Sequence, residues 1–302
     1  MSKIKTALSL SKTPLRLVTR LGANGLINWM PDIVFVYLSY KGEMGEFPNL
    51  KNPKSFNEKL QWLKLYDRKP RYTDLVDKIK AKENIAKIIG EEHIVPLLGA
   101  WETFEEIEFE KLPDRFVLKC NHDQGSVFIV SNKDQFDVVR AGKFINRCLK
   151  RNLYPETREF PYKKIKPFVF AEEYLGECIV DYKFYCFNGE PRFLYCGQGL
   201  TTDHSLKIDF YDLDWNLMPF YRTDYQRLGR IEKPKHFDEM IEISKKLSSD
   251  VPFVRIDLFE VDDKVYFSEI TLCPASGFMP FEPKEFDMIV GQWLVLPNTK
   301  IL

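Results

Sequence analysis

Apolar residues change their rhythm along this chain. From about Leu112 they fall in short β-branched and aromatic runs: RFVLKC, FVFAEEYL, YKFYCF, RFLYCG, KIDFYD, PFVRIDLF and VYFSEIT. Such runs predict strands. Helical spacing interrupts them around Lys133–Arg151 and Phe237–Leu247. The first hundred residues read as helices and loops. Trp29 to Tyr40 is strongly apolar but too short to span a membrane. The stretch KGEMGEFPNLKNP reads as an irregular connection. Ser55 precedes Glu58 by three residues, a capping-box pattern. It opens a helix through FNEKLQWLKLYD, with Phe56, Leu60, Leu63 and Leu65 on one side. A second helix is expected from Tyr72 to Ile89, stopped by Gly90. Strands with interspersed helices imply an α+β or mixed α/β architecture.

Composition narrows the function classes. The 302 residues are 44% hydrophobic and 29% charged, enough for a sizeable core and unlike a disordered chain. Lysine plus arginine balances aspartate plus glutamate at 44 each, which argues against a dedicated nucleic-acid binder. Six cysteines (Cys120, Cys148, Cys178, Cys186, Cys196, Cys273) form no CxxC pair, and His93, His122, His204 and His236 lie far apart. No zinc site is expected, and the cysteines read as small core residues in a reducing cytoplasm. The N-terminus mixes Lys3, Lys5, Lys12, Arg16 and Arg20 with leucines, without a continuous apolar core or clear cleavage site. It does not read as a signal peptide. A helix packed on its own protein is the simpler reading; an amphipathic helix at a membrane surface is the other.

The richest chemistry lies in Phe253–Glu260 and Val265–Thr271. Alternation puts Arg255 and Asp257 on one face of the first strand, and Glu269 and Thr271 on one face of the second. A three-residue loop, Asp262-Asp263-Lys264, sets Phe259 opposite Phe267, Asp257 opposite Glu269, Arg255 opposite Thr271 and Ile256 opposite Ile270. A two-residue loop would turn Glu269 to the wrong side. Facing carboxylates repel, so something must compensate. Spacing alone favours a surface hairpin with solvated or Arg255-paired carboxylates. The tight loop TLCPASGF just beyond, with Pro274 and Gly277, shifts the balance to a divalent cation, for which oxygen ligands suit magnesium.

Two lysines sit in apolar strands. Lys119 ends FVLK and is followed by the polar loop CNHDQGS, an arrangement suited to phosphate, although GxxxxGK[ST] is absent. A snorkelling lysine before an ordinary hairpin turn is the alternative. Lys183 lies in IVDYKFYCF, downstream of Glu172 and Glu173 in FVFAEEYLGE.

The ordered set FVLK, FVFAEEYLGE, DYKF, RIDLF and FSEIT-CPASGF resembles the ATP-grasp superfamily. Within it the chain is similar to the TupA-like ATP-grasp proteins of bacterial polysaccharide gene clusters. The similarity extends upstream through NLKNPKSFNEKLQWLKLYDR, LVDKIKAKENI and IGEEHIVPLLGAW, covering about Met30 to Pro283. It implies an α+β, ATP-grasp fold in which two subdomains clamp ATP and Mg2+. The expected division is a helical segment 1–50, a helical region 51–111 and an ATP-grasp domain 112–302, split near 172. Lys119 resembles the phosphate-binding lysine, and Asn121–Ser126, with Gly125 and Ser126, a flexible loop closing over phosphates. Glu172, Glu173, Tyr174 and Leu175 resemble the adenine hinge. Asp181 and Lys183 resemble a nucleotide-contacting pair. Arg255 looks like the arginine that steadies the transferring phosphate. Asp257 and Glu269 look like magnesium ligands, with Thr271 a weaker third where relatives carry asparagine. Lys78 and Lys207 match further phosphate or intermediate contacts.

The activity implied is an ATP-dependent carboxylate–amine ligase. Its partners would be a carboxylate-bearing sugar or amino acid and an amine acceptor, in cell-surface polysaccharide synthesis. A cytoplasmic location follows; a peripheral contact with membrane-linked machinery is the alternative in which the N-terminal helix meets the membrane surface. The rival is a glycosyltransferase using Asp212 and Asp214 of FYDLDW as a metal-binding DxD. A non-catalytic nucleotide-binding scaffold is the third class.

Overall fold

The computed structural model describes residues 14–177, 179–199 and 205–298. Cys178, His204 and the basic positions Lys3, Lys5 and Lys12 lie outside these residues. Helices α1 (Leu17–Ala23) and α2 (Asp32–Met44) come first. Helix α3 (Phe56–Tyr66) starts where the capping box predicts, with the Ser55 hydroxyl accepting from the Glu58 N–H. The single helix expected over 72–89 is instead two, α4 (Arg71–Val76) and α5 (Lys78–Ile89). Asp77 separates them. Its backbone turns extended (ψ 107°) and its carboxylate accepts from the N–H groups of Ile79 and Lys80, nucleating a fresh helix. Lys78 thereby becomes the first residue of α5. Helix α6 (Val138–Leu149) is shorter than its apolar pattern suggests because Asp137 caps it. Helices α7 (Tyr154–Thr157), α8 (Phe237–Ser248) and α9 (Glu285–Trp293) complete the set.

Each predicted strand run forms a strand. A four-stranded antiparallel sheet has the order β1 (Leu97–Trp101), β4 (Val169–Glu173), β2 (Phe116–Cys120), β3 (Val127–Val130). β1 lies within the stretch read as helical. A six-stranded sheet has the order β11 (Lys264–Thr271), β10 (Phe253–Val261), β5 (Asp181–Phe187), β6 (Glu190–Gln198), β7 (Lys207–Asp212), β9 (Gln226–Arg227). Two short strands, β8 (Tyr221–Arg222) and β12 (Phe281–Glu282), pair separately.

Alternation divides each strand between a core face and a second face. In the smaller sheet Phe116, Leu118 and Ala171 pack on Ala141 and Ile145 of α6. Val117, Lys119, Phe170 and Glu172 occupy the other face. In the larger sheet Phe184, Leu194, Ile256 and Ile270 pack on α8 and α5 through Met240, Ile243 and Ile85. The reverse face is aromatic at one end, where Tyr185, Phe193 and Phe253 meet Phe56 of α3. At the other end it carries Asp181, Lys183, Asp257 and Glu269. Burying each large core side chain is worth about 1.5–3 kcal/mol, which holds the charged end in place.

The five described cysteines are buried and free. Among the described residues, no helix is long and apolar enough to cross a membrane.

Candidate nucleotide site

β10 and β11 are joined by Asp262 and Asp263 alone, both left-handed (φ 50° and 64°), as a tight two-residue hairpin requires. Lys264 already pairs with Val261, so the expected three-residue loop does not form. Phe259 meets Tyr266, not Phe267, and Leu258 meets Phe267. Continued unchanged, this register would set Asp257 opposite Ser268. The pairing instead shifts between Asp257 and Leu258, leaving Ser268 as the extra residue of a β-bulge. Beyond it Asp257 faces Glu269, Ile256 faces Ile270 and Arg255 faces Thr271. The expected functional pairs are therefore made by a different route.

These pairs sit in a dense charge network. Asp257 is fully buried. It accepts from Arg255 Nε at 2.7 Å and Nη2 at 2.6 Å, and from Lys183 Nζ at 2.6 Å. Lys183 also lies 3.4 Å from Asp181. Arg255 Nη2 reaches Thr271 Oγ1 at 2.9 Å and Glu269 Oε1 at 3.4 Å, and its guanidinium lies 5.8 Å from the Tyr195 ring centre. Burial disfavours the Lys183 charge, but Asp181 and Asp257 outweigh it and push its ammonium above the ordinary lysine value. Burial, aided by Asp257 and Glu269, raises Asp181 against the pull of Lys183. Burial also opposes the Glu269 charge. Lys78, Lys183, Arg255 and Lys119 overcome it and hold this carboxyl down to about 2.

The smaller sheet contributes the second half. Lys119 donates to Oε1 of the buried Glu172 across β2 and β4. The other oxygen, Oε2, lies 3.0 Å from Lys82 Nζ, a residue the sequence did not single out. Burial favours the neutral form of Glu172, yet Lys119 and Lys82 hold its carboxyl below the usual range. Lys78 bridges the two sheets: its Nζ donates to the Asp123 carbonyl at 2.5 Å and lies 3.5 Å from Glu269 Oε2.

The loop Asn121–Ser126 is pinned at both ends. Asn121 bonds to Asp77, Lys166 and the Phe168 N–H. The buried Ser126 hydroxyl accepts from the Cys120 N–H at 3.1 Å. Only Gln124 and Gly125 form an exposed tip, with Gly125 at φ 76°. The Glu173 N–H donates to the Pro96 carbonyl at 3.1 Å, and Tyr174 lies under Arg115, 5.7 Å from its ring centre. Leu175 is half-buried beside it.

Five cations and four carboxylates thus converge where one sheet's phosphate-type loop meets the other's charged strand ends. A family model described as TupA-like ATPgrasp matches residues 58–295, most of the chain. The chain belongs to the TupA-like ATP-grasp family. Solved structures similar to this family member include an L-amino acid ligase from Bacillus licheniformis. It is 14% identical, covering 73% of this chain and 49% of that one, with a TM-score of 0.43. A D-alanine–D-alanine ligase from Bacillus anthracis complexed with ATP is 16% identical, covering 66% of this chain and 55% of that one, with a TM-score of 0.40. The chain spans about half the length of these two proteins. No curated protein matches its sequence.

The ATP-grasp family implies a magnesium ion, and the donor set here fits one. Magnesium is commonly held by one or two carboxylates plus phosphates and water. Glu269 suits this best, being ionised, about a quarter exposed and only loosely engaged by Lys78 and Arg255. Asp257, paired here with Arg255 and Lys183, would be the second oxygen donor. The Thr271 hydroxyl accepts from Arg255, so in this arrangement it also positions the arginine.

Two further candidates read from the sequence have other surroundings. Lys207 is exposed and alternates with Asp209 and Tyr211, on the opposite side of β7 from Ile208 and Phe210, which share the Tyr195 side. The structure does not bring it to the cluster. Asp212 accepts from the N–H groups of Asp214 (3.0 Å) and Asn216 (2.7 Å), closing the turn after β7. Its DxD is turn chemistry.

Proposed function

We propose that this chain is an ATP- and magnesium-dependent ligase that joins a carboxylate to an amine. The reading rests above all on Lys78, Lys119, Lys183 and Arg255 gathered around the ionised Glu269. Lys119 and the Gly125 tip would receive the phosphates, and Glu172 with the backbone of Glu173–Leu175 the adenine. Magnesium held by Glu269 and Asp257 would neutralise phosphate charge. An acceptor carboxylate oxygen would attack the γ-phosphorus, breaking its bond to the bridging oxygen and releasing ADP. Arg255 and Lys183 stabilise charge on the transferring group, because Asp257 and Thr271 preorganise them. An amine then attacks the acylphosphate carbon, loses a proton and expels phosphate, leaving an amide.

The proposed substrates are a uronic acid or amino acid and an amine partner, in cell-surface polysaccharide synthesis, as the family resemblance suggests. ATP supply and the free, buried cysteines favour the cytoplasm. A peripheral membrane contact is supported by the exposed Leu17, Leu21, Leu26, Trp29, Ile33 and Val34 around α1 and α2. The first 31 residues also hold five basic and no acidic side chains, which suits an anionic surface.

The deciding experiment measures ADP and phosphate release from Mg-ATP with pairs of uronic and amino acids. Release that needs both substrates and is lost in Asp257→Asn supports the ligase. Turnover of a UDP-sugar, with no binding of Mg-ATP, refutes it.

A further inference from the structure

Helix α5 carries two lysines one turn apart, and each reaches a carboxylate on a different sheet. Lys78 lies against Glu269 of the larger sheet; Lys82 lies against Glu172 of the smaller one. Their surroundings differ. Lys119, the other partner of Glu172, has 18% of its side chain exposed, whereas Lys82 has 6%. Lys82 also donates to the Val95 carbonyl at 3.1 Å, and the next residue, Pro96, accepts from the Glu173 N–H. Lys82 is therefore fixed to the base of the hinge strand, while Lys119 stands at its accessible edge.

A buried carboxylate with one cationic partner cannot release it cheaply, since the charge would be left unpaired. With two, the accessible partner can leave. We propose that Lys82 is a positioning residue: it stays on Glu172 as a resident counter-cation so that Lys119 can transfer from Glu172 to the nucleotide phosphates. The inference rests on the ATP-binding reading above and deepens it. It assigns Lys82 to neither the nucleotide nor the chemistry. It also explains why Glu172 is served by lysines from both α5 and β2. The direction of the Glu172 shift agrees, because both lysines favour its ionised form.

The test compares ATP with adenosine on the same protein, because only ATP needs Lys119 on phosphate. Affinities are measured by calorimetry for the unaltered chain, Lys82→Met, Glu172→Gln and the double variant. In Lys82→Met the preference for ATP over adenosine falls by about tenfold, the scale of one charge-assisted hydrogen bond. Adding Glu172→Gln removes the anion that retains Lys119, so the double variant regains the ratio of Glu172→Gln alone. Both ligands are read on one folded variant, so lost stability cancels. An unchanged ratio in Lys82→Met overturns the inference. So does a reduced ratio that Glu172→Gln does not restore, which marks Lys82 as merely structural. Failure of the unaltered chain to bind ATP overturns the nucleotide reading along with it.

Discussion

Asp257 and Glu269 face each other across β10 and β11 only because Ser268 is bulged out of the ladder. The two-residue turn at Asp262-Asp263 sets one register, and the bulge converts it to another before the carboxylates are reached. Removing Ser268 leaves Glu269 directly after Phe267, so a regular ladder still sets it opposite Asp257. The deletion is therefore expected to retain Mg-ATP binding in calorimetry. Loss of binding in a folded deletion variant would refute the register given to the bulge.

Asp257 compensates two buried cations, Arg255 and Lys183. Asp257→Ala leaves both without their principal anion. Stability should fall by about 3–5 kcal/mol, as when one partner of a buried pair is removed. Urea denaturation of the purified variant reads this directly; a loss within the error of the method would contradict the network's weight.

Glu269 should make stability depend on pH in a defined window. Its folded-state pKa, about 2, lies below that of an unfolded glutamate, about 4.3. A depressed carboxyl contributes stability that is fully present above the unfolded value and is lost as pH falls through the folded one. The stability difference between the unaltered chain and Glu269→Gln should thus be constant near neutrality and shrink from about pH 4.3 toward about 2. Unfolding curves at several acidic pH values would show it. A difference that is flat across this window would mean that Lys78 and its neighbours do not hold the carboxylate.

Trp29 and Leu26 are among the most exposed large apolar side chains of the described residues, at 78% and 64%. If they meet a membrane, the chain should sediment with vesicles of anionic lipid, less so at high salt. Leu26→Ser with Trp29→Ser should weaken this by at least about tenfold, as two buried apolar groups of this size imply. No sedimentation of the unaltered chain would remove the membrane proposal.

Much of the site is legible in the order of the residues. Period-two alternation alone places Arg255 with Asp257 and Glu269 with Thr271, because a strand offers only two faces. The Ser55–Glu58 cap is legible because both partners lie within one turn. Asp77 is less so: its carboxylate caps α5 locally, but the apolar pattern runs on through it and suggests one helix. Lys207 looks equivalent to Lys183, since both stand near the starts of aromatic strands, yet β5 and β7, on either side of β6, place them on opposite sides of the sheet.

The chain's own pattern decided which residues share a face, where α3 begins and the order of phosphate-type and carboxylate elements. These depend on contacts between near neighbours. Only the tertiary structure decided that a bulge at Ser268 brings Glu269 to Asp257. It alone showed that Thr271 serves Arg255 and that Lys82 meets Glu172 from far along the chain. Such pairings are set by how sheets and helices pack, and a local sequence window carries no measure of that distance.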